Sequence, residues 1–227
     1  MPPGDETCWT IVRGAAGGDA AARDAFALTY LDVVRAYLGA RWRGTPHMAS
    51  LEDAVQDVFV DCFREDGALQ RADPKKPGNF RTFLFAVVRN VALRHEERSA
   101  KNRQLQPSTS FDPGENLVDE QRLSLAFDRA WAQALLKRAV QRQESWAARQ
   151  GERAQRRVEL LRLRFSEDLP IREIAKRWGT DATLLHREYA RSREEFKRAL
   201  REEVAFHHPD SRADVERECA ALLALVG

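Results

Sequence analysis

The sequence predicts an all-α protein built as two small helical domains joined by a linker. Apolar residues recur at steps of three and four along most of the chain, which is the period of an amphipathic helix. Of the 227 residues, 43% are hydrophobic and 32% are charged, as in charge-rich helical proteins. A stretch rich in turn-forming residues, from 104 to about 116, separates two such helical regions. We therefore expect two helical domains and a tether.

The first helical region opens with helices over about residues 10–43. Asp19 stands just before the second of them, where an aspartate caps a helix by accepting a hydrogen bond from a backbone amide. Apolar residues at helical spacing then predict a broad buried face. Its members are Phe26, Tyr30, Val33, Val34, Tyr37, Leu38 and Trp42. We expect this helix to form the core of the first domain.

The next helix, over residues 51–64, is predicted to have an apolar stripe and an acidic opposite face. The stripe consists of Leu51, Val55, Val58, Phe59 and Cys62. The opposite face consists of Glu52, Asp53, Gln56, Asp57 and Asp61. A surface of this charge repels phosphates, so a partner for it would be a basic protein surface. The alternative is a solvated acidic face without a partner.

The segment 79–103 carries aromatic rings and positive charges on one predicted helix. Phe80, Phe83 and Phe85 provide more aromatic surface than one buried stripe needs, and six basic residues stand against two glutamates. Phosphates attract cations, and unpaired bases stack on flat apolar side chains at about 1–3 kcal/mol per base. This combination predicts a contact with single-stranded DNA. The alternative is a core helix with a solvated basic side.

Charge is distributed unevenly along the chain. The net charge is +2, but residues 1–70 carry six basic against eleven acidic residues. The segments 79–103 and 171–201 each have an excess of four positive charges. Two separate basic segments predict two contact sites for a polyanion.

The second basic segment has the spacing of a helix-turn-helix. Ile174, Ala175, Trp178, Gly179 and Leu185 lie at the required relative positions, with a small residue where two helices cross and a glycine in the turn. Outward-facing side chains would then reach base edges from Thr183, His186, Arg187 and Ala190, and phosphates from Arg191, Arg193 and Lys197. Glu188 departs from the pattern, which expects an apolar residue there. A short three-helix bundle without a ligand is the alternative.

The remaining segments carry no recognisable chemistry. Residues 141–157 contain few apolar residues and predict a solvated helix. Cys8, Cys62 and Cys219 show no paired or metal-ligand spacing, and the adjacent His207 and His208 have no second ligand pair, so we expect neither disulfides nor a zinc site. A polar, acidic start and the lack of a long apolar run predict a cytoplasmic protein.

Taken together, these motifs resemble bacterial RNA polymerase sigma factors of the extracytoplasmic-function (ECF) group. The resemblance covers about residues 10–103 and 158–204, and its most specific parts are EDAVQDVF and FRTFLFAVVRNVA. It implies a region 2-like domain over 1–103, which binds polymerase and melts the −10 promoter element. It also implies a linker with a helix over 104–157, a region 4-like helix-turn-helix over 158–204 for the −35 element, and a C-terminal extension over 205–227.

The resemblance also implies roles for individual residues. The residues that would dock on the clamp helices of the polymerase largest subunit are Asp53, Gln56, Asp57, Phe59 and Phe63. Promoter opening and capture of a flipped base fall to Phe80, Phe83, Arg89, Asn90 and Arg94, with Lys75, Lys76 and Asn79 in the preceding loop. The resemblance further implies that the helix-turn-helix recognises the upstream element through His186, Arg187 and Arg191.

The predicted function is therefore promoter recognition and transcription initiation together with core RNA polymerase. A stand-alone helix-turn-helix regulator is the alternative, although it leaves the acidic and the aromatic-basic helices unexplained. An enzyme is not expected, because the sequence has no nucleotide-binding loop, metal-ligand cluster or paired nucleophile and base. The expected partners are core polymerase and promoter DNA, with an anti-sigma protein as a candidate regulator, and no cofactor, metal, membrane or small-molecule substrate.

Overall fold

A computed structural model of the chain describes residues 7–73, 80–104, 120–207 and 212–226. These ranges are helical and contain no β-strand, which confirms the predicted all-α class. Two short 3-10 helices lie at Pro46–Ser50 and Leu69–Arg71. The α-helices are α1 (Cys8–Ala16), α2 (Ala20–Arg41), α3 (Leu51–Phe63), α4 (Phe80–Gln104), α5 (Glu120–Gln150), α6 (Glu152–Phe165), α7 (Ile171–Trp178), α8 (Ala182–His207) and α9 (Arg212–Val226).

The chain divides into two compact units. The first comprises Met1–Ala134 with Phe206–Pro209 and Ala221–Gly227, and the second comprises Leu135–Ala205 with Asp210–Ala220. The first unit therefore contains α1 to α4 and the beginning of α5. The second contains the rest of α5, the helices α6 and α7, and most of α8.

The corner between α1 and α2 depends on a small residue and a cap. A Cβ atom on Gly14 would lie 2.8 Å from the Cβ of Ala22, so a larger residue there would push the two helices apart. The Asp19 carboxylate accepts a hydrogen bond of 3.1 Å from the backbone amide of Ala22. This confirms the predicted cap and satisfies an amide that the helix itself leaves without a partner.

The core of the first unit is built on the predicted apolar face of α2. All seven predicted residues of that face are at most 3% exposed. Phe26 is the centre of an aromatic cluster in which ring centroids lie 4.8–6.3 Å apart, a range typical of favourable ring pairs. Its ring neighbours are Tyr30, Phe59, Phe63 and Phe80. Helices α2, α3 and α4 therefore share one apolar core.

One charged side chain lies within this apolar face. Arg41 follows Tyr37 by one helical turn, and its side chain is only 2% exposed. Its guanidinium donates to both carboxylate oxygens of Glu96 on α4, at 2.7 and 2.9 Å. The indole nitrogen of Trp42 donates to the same carboxylate at 2.8 Å. A buried charge is tolerated here because it is paired and hydrogen-bonded.

The second unit contains the predicted helix-turn-helix. Its apolar core comprises Leu160, Leu163, Ile171, Ile174, Ala175 and Leu185. Helix α7 ends at Gly179, whose φ of 59° and ψ of 39° are left-handed and strained for other residues. The carboxylate of Asp181 then accepts from the amide of Leu184 at 2.9 Å and caps α8. The turn between α7 and α8 thus forms where the glycine predicted it.

The second unit also has a polar core that the sequence did not predict. Gln143 on α5 and Arg157 on α6 are 2% and 6% exposed. The amide nitrogen of Gln143 donates to the carbonyl of Ser192 at 3.2 Å, and the Ser192 hydroxyl donates to the carbonyl of Arg157 at 2.7 Å. The prediction of a solvated helix over 141–157 holds in part, because most of this segment is exposed while Gln143, Ala147, Ala154 and Arg157 are buried.

Candidate nucleic-acid and protein interfaces

Helix α3 presents a partly acidic, partly apolar outer surface. Asp53 and Gln56 are exposed, and Val60 is 53% exposed despite being apolar. Asp57 is half-buried, and its carboxylate lies 2.8 Å from the Nε2 atom of His95. Phe59 and Phe63 are half-buried. The predicted protein-binding residues therefore differ in exposure, and Asp53 and Gln56 are the most accessible of them.

Asp61 departs from the predicted outer acidic face. It is 9% exposed, and its carboxylate pairs with Arg64 at 2.9 Å and with Arg94 of α4 at 3.1 Å. The expectation that Asp61 would lie on the solvent side of α3 is therefore wrong. Its position follows from the helical period, because Asp61 adjoins the buried Val58 and Cys62 on the helix surface.

The aromatic residues of α4 separate into core and surface. Phe80 is fully buried, with its ring centroid 5.8 Å from Trp9 and 6.0 Å from Phe26. The predicted direct base contact by Phe80 does not fit this position, because the ring fills the core of the first unit. Phe83 is half-buried and packs on Phe80 at 5.7 Å. Phe83 is therefore the ring that α4 offers for stacking.

Four basic residues of α4 are engaged with carboxylates of neighbouring helices. Arg94 and Arg98 face α3, where they pair with Asp61 and Asp57. Arg81 and Arg89 face α5, where they pair with Asp128 and Glu120. Asn90 is exposed and adjoins Arg89 in the chain. The predicted loop residues Lys75, Lys76 and Asn79 lie outside the described residues.

A single carboxylate at the start of α5 bridges two arginines of the first unit. Arg89 donates to Glu120 through Nε at 3.0 Å and through a terminal nitrogen at 3.4 Å. Arg41 donates to the same carboxylate at 3.3 Å. These hydrogen bonds hold the pKa of Glu120 below its usual value, and the bonds from Arg89 contribute the most. The two guanidinium groups thus form a small site that already contains an anion.

Helix α8 presents the predicted DNA-contacting residues to solvent. Those exposed are Thr183, His186, Arg187, Ala190, Arg191 and Arg193. Arg191 also lies 3.7 Å from Glu195, one turn further along the helix. Leu185, on the opposite side, is 3% exposed and belongs to the core. Between Ala182 and Arg193, the outward face carries two large apolar side chains, Leu184 and Tyr189.

Glu188, the residue that departs from the helix-turn-helix pattern, is turned towards α6. Its carboxylate accepts from Arg153 at 2.5 Å and from Arg157 at 3.5 Å. Arg157 in turn donates to both oxygens of Glu195, at 2.7 and 3.0 Å. The hydrogen bond from Arg153, together with Arg157, lowers the pKa of Glu188. The negative charge of Glu188 is thus compensated within the second unit.

The family comparison falls on the helices with the acidic and aromatic surfaces. Residues 26–102 match the family model described as Sigma-70 region 2. Over these residues the chain is similar to sigma-70 region 2 domains. The match spans about a third of the chain and supports a sigma-factor role in promoter recognition, with core RNA polymerase and promoter DNA as the implied partners. No curated protein matches the chain.

Several residues of the first unit were missed by the sequence interpretation. Arg41 continues the spacing of Tyr30, Tyr37 and Leu38, so the period itself placed it on the buried face. Glu96 was counted only as an opposing charge of α4. Glu120 lies beyond the matched span, and no local pattern connects it with Arg89. A contact between two residues that are distant in sequence produces no periodic pattern in the sequence.

The described residues contain no group of three or more His, Cys, Asp or Glu arranged to hold a metal ion. His207 is buried, with Nε2 3.1 Å from the hydroxyl oxygen of Tyr30. The three cysteines form no disulfide and are buried, and burial raises the pKa of Cys62 to about 12 and that of Cys219 to about 11. Thiols held in this form are poor nucleophiles. No helix among the described residues is long and apolar enough to cross a membrane.

Proposed function

We propose that the chain is a sigma factor of the ECF type, which binds core RNA polymerase in the cytoplasm and directs it to promoters. The proposal keeps a region 2-like domain over 1–103, a linker over 104–157, a region 4-like domain over 158–204 and an extension over 205–227. The single observation that carries it is the Sigma-70 region 2 match, which includes α3 and nearly all of α4. Every step requires binding and none requires a chemical reaction by the chain.

The first step is docking of α3 on the polymerase. Asp53 and Gln56 are exposed and Val60 adds accessible apolar surface beside them. An apolar patch with an acidic rim fits a partner surface that is basic around an apolar centre. The Phe59 and Phe63 rings pack against Phe26, so they support this surface from below and contribute their exposed edges.

The second step is opening of the promoter at the −10 element by α4 and the loop before it. Unstacking costs a few kcal/mol per step, and stacking of a base on Phe83 would offset part of that cost. Asn90 is exposed for hydrogen bonding, and Arg94 is held near the surface by Asp61. Roles for Lys75, Lys76 and Asn79 rest on the family resemblance alone.

The third step is recognition of the −35 element by α8. Arg187 and His186 are exposed on the outward face of the helix, where a major groove would present base edges. Arg191 and Arg193 lie further along the same helix and suit phosphate contacts. Because Glu188 is compensated by Arg153 and Arg157, its charge is a weaker obstacle to duplex DNA than the sequence suggests.

A stand-alone DNA-binding regulator is the second candidate. The exposed basic residues of α8 favour it, since they would serve a repressor or activator equally well. Such a protein binds its operator without polymerase and has no use for the exposed acidic surface of α3. The two candidates are therefore separated by whether the chain binds core polymerase.

The test is co-purification of the intact chain with core RNA polymerase, using the variant Asp53→Lys. Asp53 is a cleaner position than Asp57, because Asp57 also holds His95 and its loss would disturb α4. We expect the reversed charge to weaken assembly at least about tenfold, since like charges facing each other across an interface cost one or more kcal/mol. Glu144→Lys, the same change at an exposed residue of α5, is the matched control.

The proposal fails if the wild-type chain does not bind the polymerase at all. It also fails in its assignment of α3 if both variants assemble as well as the wild type. A loss that is equal in the two variants would indicate a general charge effect rather than a docking surface.

A further inference from the structure

The Glu120 carboxylate lies in the kind of cradle that proteins use to bind a phosphate. Two oxygens about as far apart as those of a phosphate accept from a forked guanidinium, that of Arg89, and from a second guanidinium, that of Arg41. Arginine is the preferred side chain for such planar, two-point recognition of carboxylates and phosphates. Glu120 is thus an anion of this chain in a site that suits other anions.

The site is built rather than incidental. Arg41 is 2% exposed and is held in place by Glu96 on one side and by the Tyr37 hydroxyl, at 3.4 Å, on the other. Its guanidinium therefore cannot turn away into solvent when Glu120 leaves. Arg89 is 39% exposed and opens the site to the surface. Without the Glu120 carboxylate, Arg41 would keep its pair with Glu96, and Arg89 would lose both hydrogen bonds that it makes to Glu120.

Glu120 can leave this site at low cost. It is the first described residue of α5 and is 43% exposed, so only the first turn of the helix has to loosen. The buried anchors of α5, Leu123, Phe127 and Trp131, lie further along and keep the helix on the first unit. Fraying of a terminal turn is among the cheapest motions that a helix makes.

We propose that Arg41 and Arg89 form a binding site for a phosphodiester of single-stranded nucleic acid, and that Glu120 occupies this site in the absence of the strand. The inference rests on the proposed function for its ligand, because that function puts α4 against the unwound promoter strand. It adds a second contact on the α5 side of α4, opposite Phe83 and Arg94. It also makes the first turn of α5 an intramolecular competitor, which only a strand with several contacts displaces.

The test measures binding of a fluorescein-labelled oligothymidine to the full-length protein by fluorescence anisotropy over a range of salt concentrations. Glu120→Gln should tighten binding roughly two- to fivefold, the equivalent of one exposed ion pair. It should also steepen the dependence of log K on log salt by about 0.7, as expected for one more phosphate on a single strand. Adding Arg89→Gln to this variant should abolish both gains.

Glu97→Gln is the matched control, because it removes the same charge from an exposed position of α4. Equal tightening by the two glutamine variants, or none by Glu120→Gln, overturns the proposal. The proposal is also overturned if Glu120→Gln tightens binding of inorganic phosphate but not of the oligonucleotide, since the site would then hold free phosphate only. Equal competition by polyglutamate would assign the site to acidic protein segments instead.

A second measurement needs no variant. Saturating oligothymidine should accelerate hydrogen exchange of the wild-type amides in the first turn of α5, and leave the amides around Phe127 and Trp131 protected. Unchanged exchange in that turn contradicts displacement of Glu120. Co-purification of Glu120→Gln with polymerase should equal that of the wild type, so a failure of this inference is distinguishable from a failure of the proposed function.

Discussion

At the scale of single residues, buried charge decides how the first unit is held together. Arg41 loses nearly all of its hydration, and its pairing with Glu96 offsets that loss only because both carboxylate oxygens are used. Trp42 depends on the same carboxylate for its indole hydrogen bond. Glu96 therefore satisfies three donor atoms that would otherwise lie buried without partners.

Replacing Glu96 with glutamine should destabilise the protein by about 2–3 kcal/mol, since the buried Arg41 guanidinium loses the closer of its two charged partners and glutamine offers it one acceptor atom in place of two. Urea unfolding measures this loss. The adjacent Glu97→Gln changes an exposed residue of the same helix and should stay within about 0.5 kcal/mol of the wild type. Equal stabilities of the two variants would show that the Arg41–Glu96 pair does not hold the unit together.

The same pair makes stability depend on pH in a defined direction. Burial alone would raise the pKa of Glu96, but hydrogen bonds from Arg41 and Trp42 bring it below its usual value near 4.5. Because the folded state keeps this carboxylate ionised more strongly than the unfolded state, its stabilisation is complete above that pH and is lost as pH falls through the lowered pKa. Urea midpoints at about pH 7 and about pH 4 should therefore differ more for the wild type than for Glu96→Gln.

Two neighbouring phenylalanines should behave differently when truncated. Phe80→Ala removes a fully buried ring and should cost about 3–5 kcal/mol of stability. Phe83→Ala should leave polymerase binding intact and cost about 1–3 kcal/mol of strand opening, through the loss of one stacked base. Permanganate reactivity of unpaired thymines on a transcribed promoter measures this, with the exposed Phe165→Ala as control. Normal melting with Phe83→Ala would exclude that ring from promoter opening.

At the scale of helices, the sequence predicts the apolar contacts and misses the polar ones. The stripes of α2 and the residues of the helix-turn-helix core follow from hydrophobic period and from Gly179. The contacts that α5, α6 and α8 make through Gln143, Arg157 and Glu195 do not follow from the hydrophobic period, because the sequence does not distinguish a buried polar residue from a solvated one. For the same reason the sequence placed Asp61 on the surface and could not foresee the partner of Glu188.

This polar core gives a prediction for the attachment of α8 to α6. Arg157→Met leaves Glu195, at 9% exposure, with the exposed Arg191 as its remaining ion-pair partner among the described residues, and should cost roughly 3–5 kcal/mol in urea unfolding. The double variant Arg157→Met, Glu195→Met should recover most of the loss, because an apolar pair replaces an ion pair of similar volume. Arg153→Met removes an exposed arginine and should cost less than about 1 kcal/mol.

The double variant decides the interpretation. If it is no more stable than Arg157→Met, the cost comes from lost volume rather than from an unpaired carboxylate. If Arg153→Met is as damaging as Arg157→Met, then Glu188 rather than Glu195 is the important partner on α8.

At the scale of the whole molecule, the charge that suggested DNA binding is largely compensated within the protein. The basic residues Arg81, Arg89, Arg94 and Arg98 each pair with a carboxylate of the first unit. The sequence located the positive segments correctly but could not show their partners, since Glu120 and Asp128 are far from α4 in the chain. Among the described residues, the predicted contacts Arg187, Arg191 and Arg193 of α8 are exposed.

This compensation predicts that the isolated chain binds duplex DNA weakly. With a net charge of +2, and with Arg81, Arg89, Arg94 and Arg98 of α4 paired to carboxylates, we expect Kd values for a promoter duplex of about 10⁻⁶–10⁻⁴ M at physiological salt, as for non-specific binding. Unrelated duplex should then compete for the chain nearly as well as the promoter duplex does. A stand-alone regulator, in contrast, prefers its operator by a factor of about 10³ or more. Electrophoretic mobility shift with and without core polymerase measures both. If the chain without polymerase strongly prefers one duplex sequence, the stand-alone regulator is favoured. Such a preference would have to come from base contacts that α8 makes by itself.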